Sequence, residues 1–100
     1  MTTENDLKIK TKTDLSPPKL WKVLLLNDDV TPMELVIEIL MGIFRHDRMT
    51  AEQITMEVHN TGSGIAGAYL YEIAEQKGLE ATAIARSNGY PLKIVVEEEQ

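Results

Sequence analysis

Three consecutive polar residues, Asn27, Asp28 and Asp29, stand where an apolar run stops and an amphipathic pattern begins, and they hold the chain's most usable chemistry. Asn27 offers a carboxamide oxygen, the two aspartates offer carboxylates, and His59 offers an imidazole nitrogen that accepts a hydrogen bond when the ring is neutral. Acceptors of this kind around one point form a receptor for an ammonium group, which carries three N–H donors. Taken singly, each has a plainer explanation. Asn and Asp form turns by bonding their own backbone, and a lone histidine on a helix face usually bonds some backbone group. The receptor reading depends on two distant stretches meeting. If the helix bearing His59 packs antiparallel beside the helix that follows Asp29, its C-terminal end returns toward Asn27 and Asp29. Leu25, Met33, Val36 and Val58 then wall an apolar recess beside the acceptors. A cationic amine next to a greasy side chain describes a bulky amino acid at a protein N-terminus.

Other chemistries fit less well. Gly62, Gly64 and Gly67 match the dinucleotide-binding spacing G-x-G-x-x-G. That fingerprint needs a strand before it and a helix after it, whereas here a helical pattern precedes and strand alternation follows. The glycines therefore read as a helix C-cap and a glycine-containing strand. A metal site assembled from Asp28, Asp29, His59 and His46 lacks a close histidine pair or a carboxylate-rich loop. A Ser63, His59 and Asp29 hydrolase lacks the strand-to-helix elbow around its serine. The chain reads as a binding protein with no cofactor and no catalytic residues.

The elements that must position the receptor follow from periodicity. Residues 1 to about 18 are polar, without periodicity, and end in Ser16-Pro17-Pro18; they read as a flexible arm ahead of one domain over residues 19–100. From Leu20 to Asn27 the pattern predicts a strand buried on both faces. Thr31 is placed to cap a helix, with Pro32 first in it, Glu34 completing a capping box and Val30 stapling against Leu35. That helix is expected to run from Pro32 to about His46, with Met33, Val36, Ile37, Leu40 and Phe44 on its apolar stripe. Thr50 and Gln53 form a second capping box that would start a helix at Ala51, with Gly62 ending it, Ile54 and Val58 inward, and Thr55 and His59 on a neighbouring face. A strand follows in the first half of SGIAGAYLYEIA. A third helix starts between Glu72 and Glu75, continues to about Asn88 with Ala74, Ala81, Ile84 and Ala85 on one stripe, and tolerates Gly78. Gly89 and Pro91 stop it, and Leu92, Ile94 and Val96 make a closing strand. The order β-α-α-β-α-β is that of an α+β domain: a small three-stranded, mainly antiparallel sheet with three helices packed on one face.

Composition narrows the setting. With 43% apolar and 26% charged residues in 100, the chain falls in the ordinary globular class. A net charge of −6 argues against a nucleic-acid or anionic-membrane surface, which needs clustered Lys and Arg. No apolar run approaches the roughly 20 residues of a membrane span, and the N-terminus lacks a signal-peptide core, so a cytoplasmic location is expected. The absence of cysteine excludes disulfides and thiolate chemistry.

The stretch LWKVLLLNDDVTPMELVIEIL, with Val58-His59, GAYLYEIAEQK and Tyr90-Pro91-Leu92, resembles the ClpS adaptor family over residues 20 to 97. The resemblance implies an adaptor of the bacterial and plastid Clp AAA+ protease. Such an adaptor recognises proteins with N-terminal Phe, Tyr, Trp or Leu, the N-degron pathway, and hands them to the unfoldase. It implies that Asn27, Asp29 and His59 bind the substrate α-amino group, with Asp28 holding the loop and adding negative potential. It also implies that Leu25, Thr31, Met33, Val36, Val58 and Leu92 line the side-chain pocket, with Met33 as a gate against β-branched residues. Glu72 and Lys77 match positions that contact the N-terminal domain of the ATPase (ClpA-type), and the arm matches an extension engaged by the unfoldase. Where many members carry a pocket methionine on the second helix, this chain has Thr55, which bears on pocket depth and on Leu against Trp. The rival function is a non-catalytic structural domain that docks on a large assembly through a helix face, its Asn-Asp-Asp turn only a loop.

Overall fold

The computed structural model describes residues 16–99. Three strands, β1 (Trp21–Leu26), β2 (Ser63–Tyr69) and β3 (Lys93–Glu98), form an antiparallel sheet in the order β2-β1-β3. Three helices, α1 (Met33–Gly42), α2 (Arg48–Thr61) and α3 (Tyr71–Ser87), pack on one face of it, giving the expected order β-α-α-β-α-β and an α+β fold. Of the expected arm, residues 1–15 lie outside the described residues.

The central strand is apolar because it has neighbours on both edges and helices above. Val23 and Leu25 are fully buried, paired with Gly67 and Gly64 on one side and Val96 and Ile94 on the other. The opposite face differs from the expectation. Lys22, Leu24 and Leu26 are only half-buried, since every helix lies on the other side. Between Val23 and Leu24 the β1–β2 register shifts, so Ala66 is an extra residue in β2. A bulge of this kind bends a strand and re-aims its side chains. His46, on the α1–α2 loop, bonds the Ala66 carbonyl through Nε2 and pins that loop to the bulge.

Helix boundaries shift from the sequence reading for local reasons. Thr31 does not cap α1: its N–H and hydroxyl both donate to Asp28, which draws the side chain back into the turn, and no side chain caps the first helical N–H groups. Pro32 takes the N-cap position without a side-chain bond, its carbonyl accepting from Leu35 and Val36. Glu34 does not reach back to close a box; it accepts from Arg48 at 3.1 Å. The helix also stops earlier than His46: Arg45 adopts a left-handed conformation (φ 64°), and the His46 N–H returns to the Leu40 carbonyl. In α2 the cap is Asp47, which accepts from the Thr50 N–H at 2.9 Å, so the helix begins three residues before Ala51. Its end is at Gly62 as expected, in the left-handed region (φ 97°) that glycine enters without penalty. Ile54 is half-buried, not fully inward.

Helix α3 begins at Tyr71, ahead of the expected start, and buries Ala74, Gly78, Ala81 and Ala85. Ile84, expected on this stripe, is exposed. Gly78 takes a place on the buried face because the helix rides close on β3, where an added Cβ would meet Val96 at 3.4 Å.

Candidate functional site

The site is built where β1 runs out. Asp28 Oδ1 accepts from the N–H groups of Val30 and Thr31, both at 2.7 Å, and Oδ2 accepts from the Thr31 hydroxyl at 2.9 Å. One carboxylate thus folds the whole turn around itself. Burial pushes the Asp28 pKa up, yet the N–H groups of Thr31 and Val30, the Thr31 hydroxyl and the charge of Arg86 outweigh it and hold the group below its ordinary value of 3.8. With Asp28 committed inward, Asn27 and Asp29 on either side are exposed.

Helix α2 supplies the facing wall. It returns antiparallel to β2 through the cap at Gly62, and the Gly62 carbonyl accepts from the Asn27 N–H at 2.9 Å. That bond ties the end of α2 to the turn after β1. Gly64 permits the approach: a Cβ there would lie 2.8 Å from Val58 Cγ2 and 3.4 Å from the Ile54 carbonyl oxygen.

Between these walls lies a cavity of about 230 Å³ lined by Asn27, Asp28, Asp29, Thr31, Met33, Val36, Thr55, Val58 and His59. Asn27, Asp29 and His59 are its exposed polar groups, while Val36, Thr55 and Val58 are buried. The arrangement is polar at the rim and apolar at depth. Thr55 is 4% exposed, and its hydroxyl donates to the Ala51 carbonyl at 2.8 Å, so its proton is satisfied within the helix. Met33, expected on the buried stripe of α1, is 40% exposed and sits at the rim.

Nine of the eleven residues expected to bind the amine or line the pocket therefore surround one space. Leu25 and Leu92 belong to the buried core cluster and are not among the cavity-lining residues. Glu72 is exposed on the first turn of α3. Lys77 is half-buried; its ammonium donates to the Ile43 carbonyl at 2.8 Å and lies 5.3 Å from the centre of the Tyr69 ring. His46 is spent on Ala66, and among the described residues no group of three His, Asp or Glu side chains is placed to hold a metal ion. No described helix is long and apolar enough to cross a membrane.

A second cleft of about 350 Å³ lies on the other side of α1, against α3, lined by Leu35, Glu38, Ile39, Gly42, Ile43, Ile84 and Asn88. The sequence reading did not anticipate it, because Ile84 and Asn88 belong to a helix far along the chain. Its polar groups do not converge on an amine: the Asn88 amide already donates to the Ile84 carbonyl at 2.8 Å.

Comparison with known proteins agrees with the geometry. Residues 16–95 match the model of the family described as "ATP-dependent Clp protease adaptor protein ClpS". The ClpS adapter proteins of Clostridium acetobutylicum and Campylobacter jejuni are 48% and 50% identical to this chain, over 96% and 88% of it and 95% and 92% of their own lengths. That of Deinococcus radiodurans is 46% identical over 88% of this chain and 78% of its own. A solved structure of Agrobacterium tumefaciens ClpS2 bound to L-phenylalaninamide superposes with a TM-score of 0.80 at 41% identity, covering 83% of this chain and all of that one. Adaptors present substrates to a protease and perform no catalysis themselves, and this chain belongs to the ClpS family of adaptor proteins of the ATP-dependent Clp protease.

Proposed function

We propose that the cavity receives the first residue of an N-degron substrate, a protein with Phe, Tyr, Trp or Leu at its N-terminus, for delivery to the Clp AAA+ unfoldase. The observation that carries this reading is the meeting of Asn27, Asp28, Asp29 and His59 at the rim of a space whose deeper wall is Val36, Thr55 and Val58. The α-ammonium donates to the Asn27 carboxamide oxygen, the Asp29 carboxylate and the acceptor nitrogen of the His59 ring. Asp28 holds the turn and adds negative potential. The first side chain enters between Met33 and Val58, with Thr31 at the edge and Leu25 and Leu92 supporting the wall from the core. The relative of known structure is bound to L-phenylalaninamide, a compound with a free amine and a benzyl side chain, which supports a ligand of this class.

The energies are of the right size for an adaptor that must also let go. Charge-assisted hydrogen bonds contribute about 1.5–3 kcal/mol each, and burial of a Leu or Phe side chain adds about 1.5–3 kcal/mol. Less the entropy of ordering a peptide end, these give affinities of roughly micromolar order.

Delivery to a ClpA-type N-terminal domain runs through the face of α3 that carries Glu72. Lys77 contributes from the same helix on leaving its intramolecular bond to Ile43, and the arm over residues 1–18 is engaged by the unfoldase during transfer. The cytoplasm is the compartment for this work, and neither nucleic acid nor membrane takes part. The reading is tested by titrating the chain with a Phe-starting peptide and its N-acetylated form. Acetylation removes the charge and two donors and leaves Asp29 unpaired, so binding is lost; equal affinity for the two peptides refutes the ammonium receptor.

A further inference from the structure

The chain has no cysteine, and the four methionines among the described residues, Met33, Met41, Met49 and Met56, are all exposed and absent from the core cluster. Methionine ordinarily fills gaps in apolar interiors. Here the described thioethers face solvent, and one of them, Met33, also lines the 230 Å³ cavity. It is 40% exposed at the first residue of α1, opposite the buried Val58 of α2. A thioether that is both open to a small oxidant and part of an apolar wall joins two properties usually kept apart.

We propose that Met33 is an oxidation switch on the receptor: hydrogen peroxide converts it to the sulfoxide, and the cavity then releases its N-terminal ligand. This rests on the reading of the cavity as an N-degron site. The chemistry balances simply. The sulfur lone pair attacks one peroxide oxygen, the O–O bond breaks, an S–O bond forms, and the departing hydroxide takes the remaining proton as water. Sulfur loses two electrons and peroxide gains them. The product is a polar, chiral group in place of a flexible apolar one. When a Phe or Leu side chain enters, that S–O dipole is removed from water against a buried wall with no free donor. The Thr55 hydroxyl is already given to Ala51 and the Thr31 hydroxyl to Asp28, and Val36 and Val58 have none. The remaining N–H donors, on Asn27 and His59, belong to the exposed groups that take the ammonium. Methionine sulfoxide reductases, one for each sulfoxide epimer, reverse the change with a thiol reductant.

The test uses the whole chain and a fluorescent Phe-starting peptide free of methionine, cysteine and tryptophan. The chain is treated with hydrogen peroxide, the oxidant is removed, and oxidation at each methionine is mapped by mass spectrometry before titration. Affinity is expected to fall about tenfold, the order of cost for burying one unpartnered polar group, and to return after treatment with both reductases. The variant Met41→Leu/Met49→Leu/Met56→Leu, altered only outside the cavity, is expected to remain fully sensitive. Met33→Leu is expected to keep after peroxide whatever affinity it had before. Unchanged binding by wild-type chain shown to be oxidised at Met33, or equal losses in Met33→Leu, overturns the switch. Failure of the untreated chain to bind the peptide at all instead overturns the N-degron reading.

Discussion

Asp28 and Thr31 are joined twice, the carboxylate taking the backbone N–H of Thr31 at 2.7 Å through one oxygen and its hydroxyl at 2.9 Å through the other. This pair decides the shape of the turn that carries Asn27 and Asp29. It also bears on where α1 begins, since a threonine side chain held back toward Asp28 makes no cap bond to the helix N–H groups ahead of it. Asp28→Ala is expected to cost about 1–2 kcal/mol of stability by denaturant titration and to weaken peptide binding although the Asp28 carboxylate faces the turn. The pH dependence has a definite sign. A carboxyl held below its ordinary value stabilises the folded chain fully above about pH 4 and loses that contribution as pH falls through its folded pKa. The stability gap between wild type and Asp28→Ala therefore narrows as pH is lowered below about 4; a gap that does not change with pH removes the charge of the carboxylate from the account.

If Met33 is the gate that the family resemblance implies, Met33→Ala removes the rim side chain that a β-methyl branch would strike. The variant is expected to admit peptides beginning with Ile and Val while still binding Phe, measured as the ratio of affinities across a panel of first residues. Unchanged discrimination against the branched residues contradicts a gate at this position.

Gly64→Ala tests how the wall of α2 is set. The new methyl would lie 2.8 Å from Val58 Cγ2, so Val58 must move away from β2. Overpacking of this kind costs about 1–3 kcal/mol. Peptide affinity is expected to fall as well, because the displaced Val58 is itself a cavity wall, and a stability loss with affinity unaltered separates the two roles of α2.

His59→Ala removes one of the acceptors proposed for the α-ammonium. Binding of a Phe-starting peptide is expected to weaken about tenfold, the order of one charge-assisted hydrogen bond, measured by titration beside wild type. Affinity equal to that of wild type takes the His59 ring out of the site.

Much of the candidate site's placement is legible without coordinates, for physical reasons that vary by residue. The strand-to-helix junction shows because Asn27, Asp28 and Asp29 interrupt a run of leucines, and the C-cap at Gly62 shows because few other residues suit a left-handed turn. The competition between Asp28 and Thr31 does not show. Both are good partners for a free N–H, and only the fold of the turn decides which one is used. Asp47 prevails over Thr50 at the start of α2 for the same kind of reason. Long-range pairings are the least visible. Lys77 finds Ile43, His46 finds Ala66, and the Asn27 N–H finds Gly62, and no spacing rule connects those positions. The bulge at Ala66 is hidden too, because alternation reads through a single inserted alanine.

The Asn27–Gly62 bond, at 2.9 Å, spans the seam between the two halves of the cavity. It continues the β1–β2 ladder by one rung, so the halves cannot swing apart without unzipping the central strand from its neighbour. Such a clasp resists opening of the mouth at this seam. Residence time is accordingly expected to track how firmly each first residue is gripped.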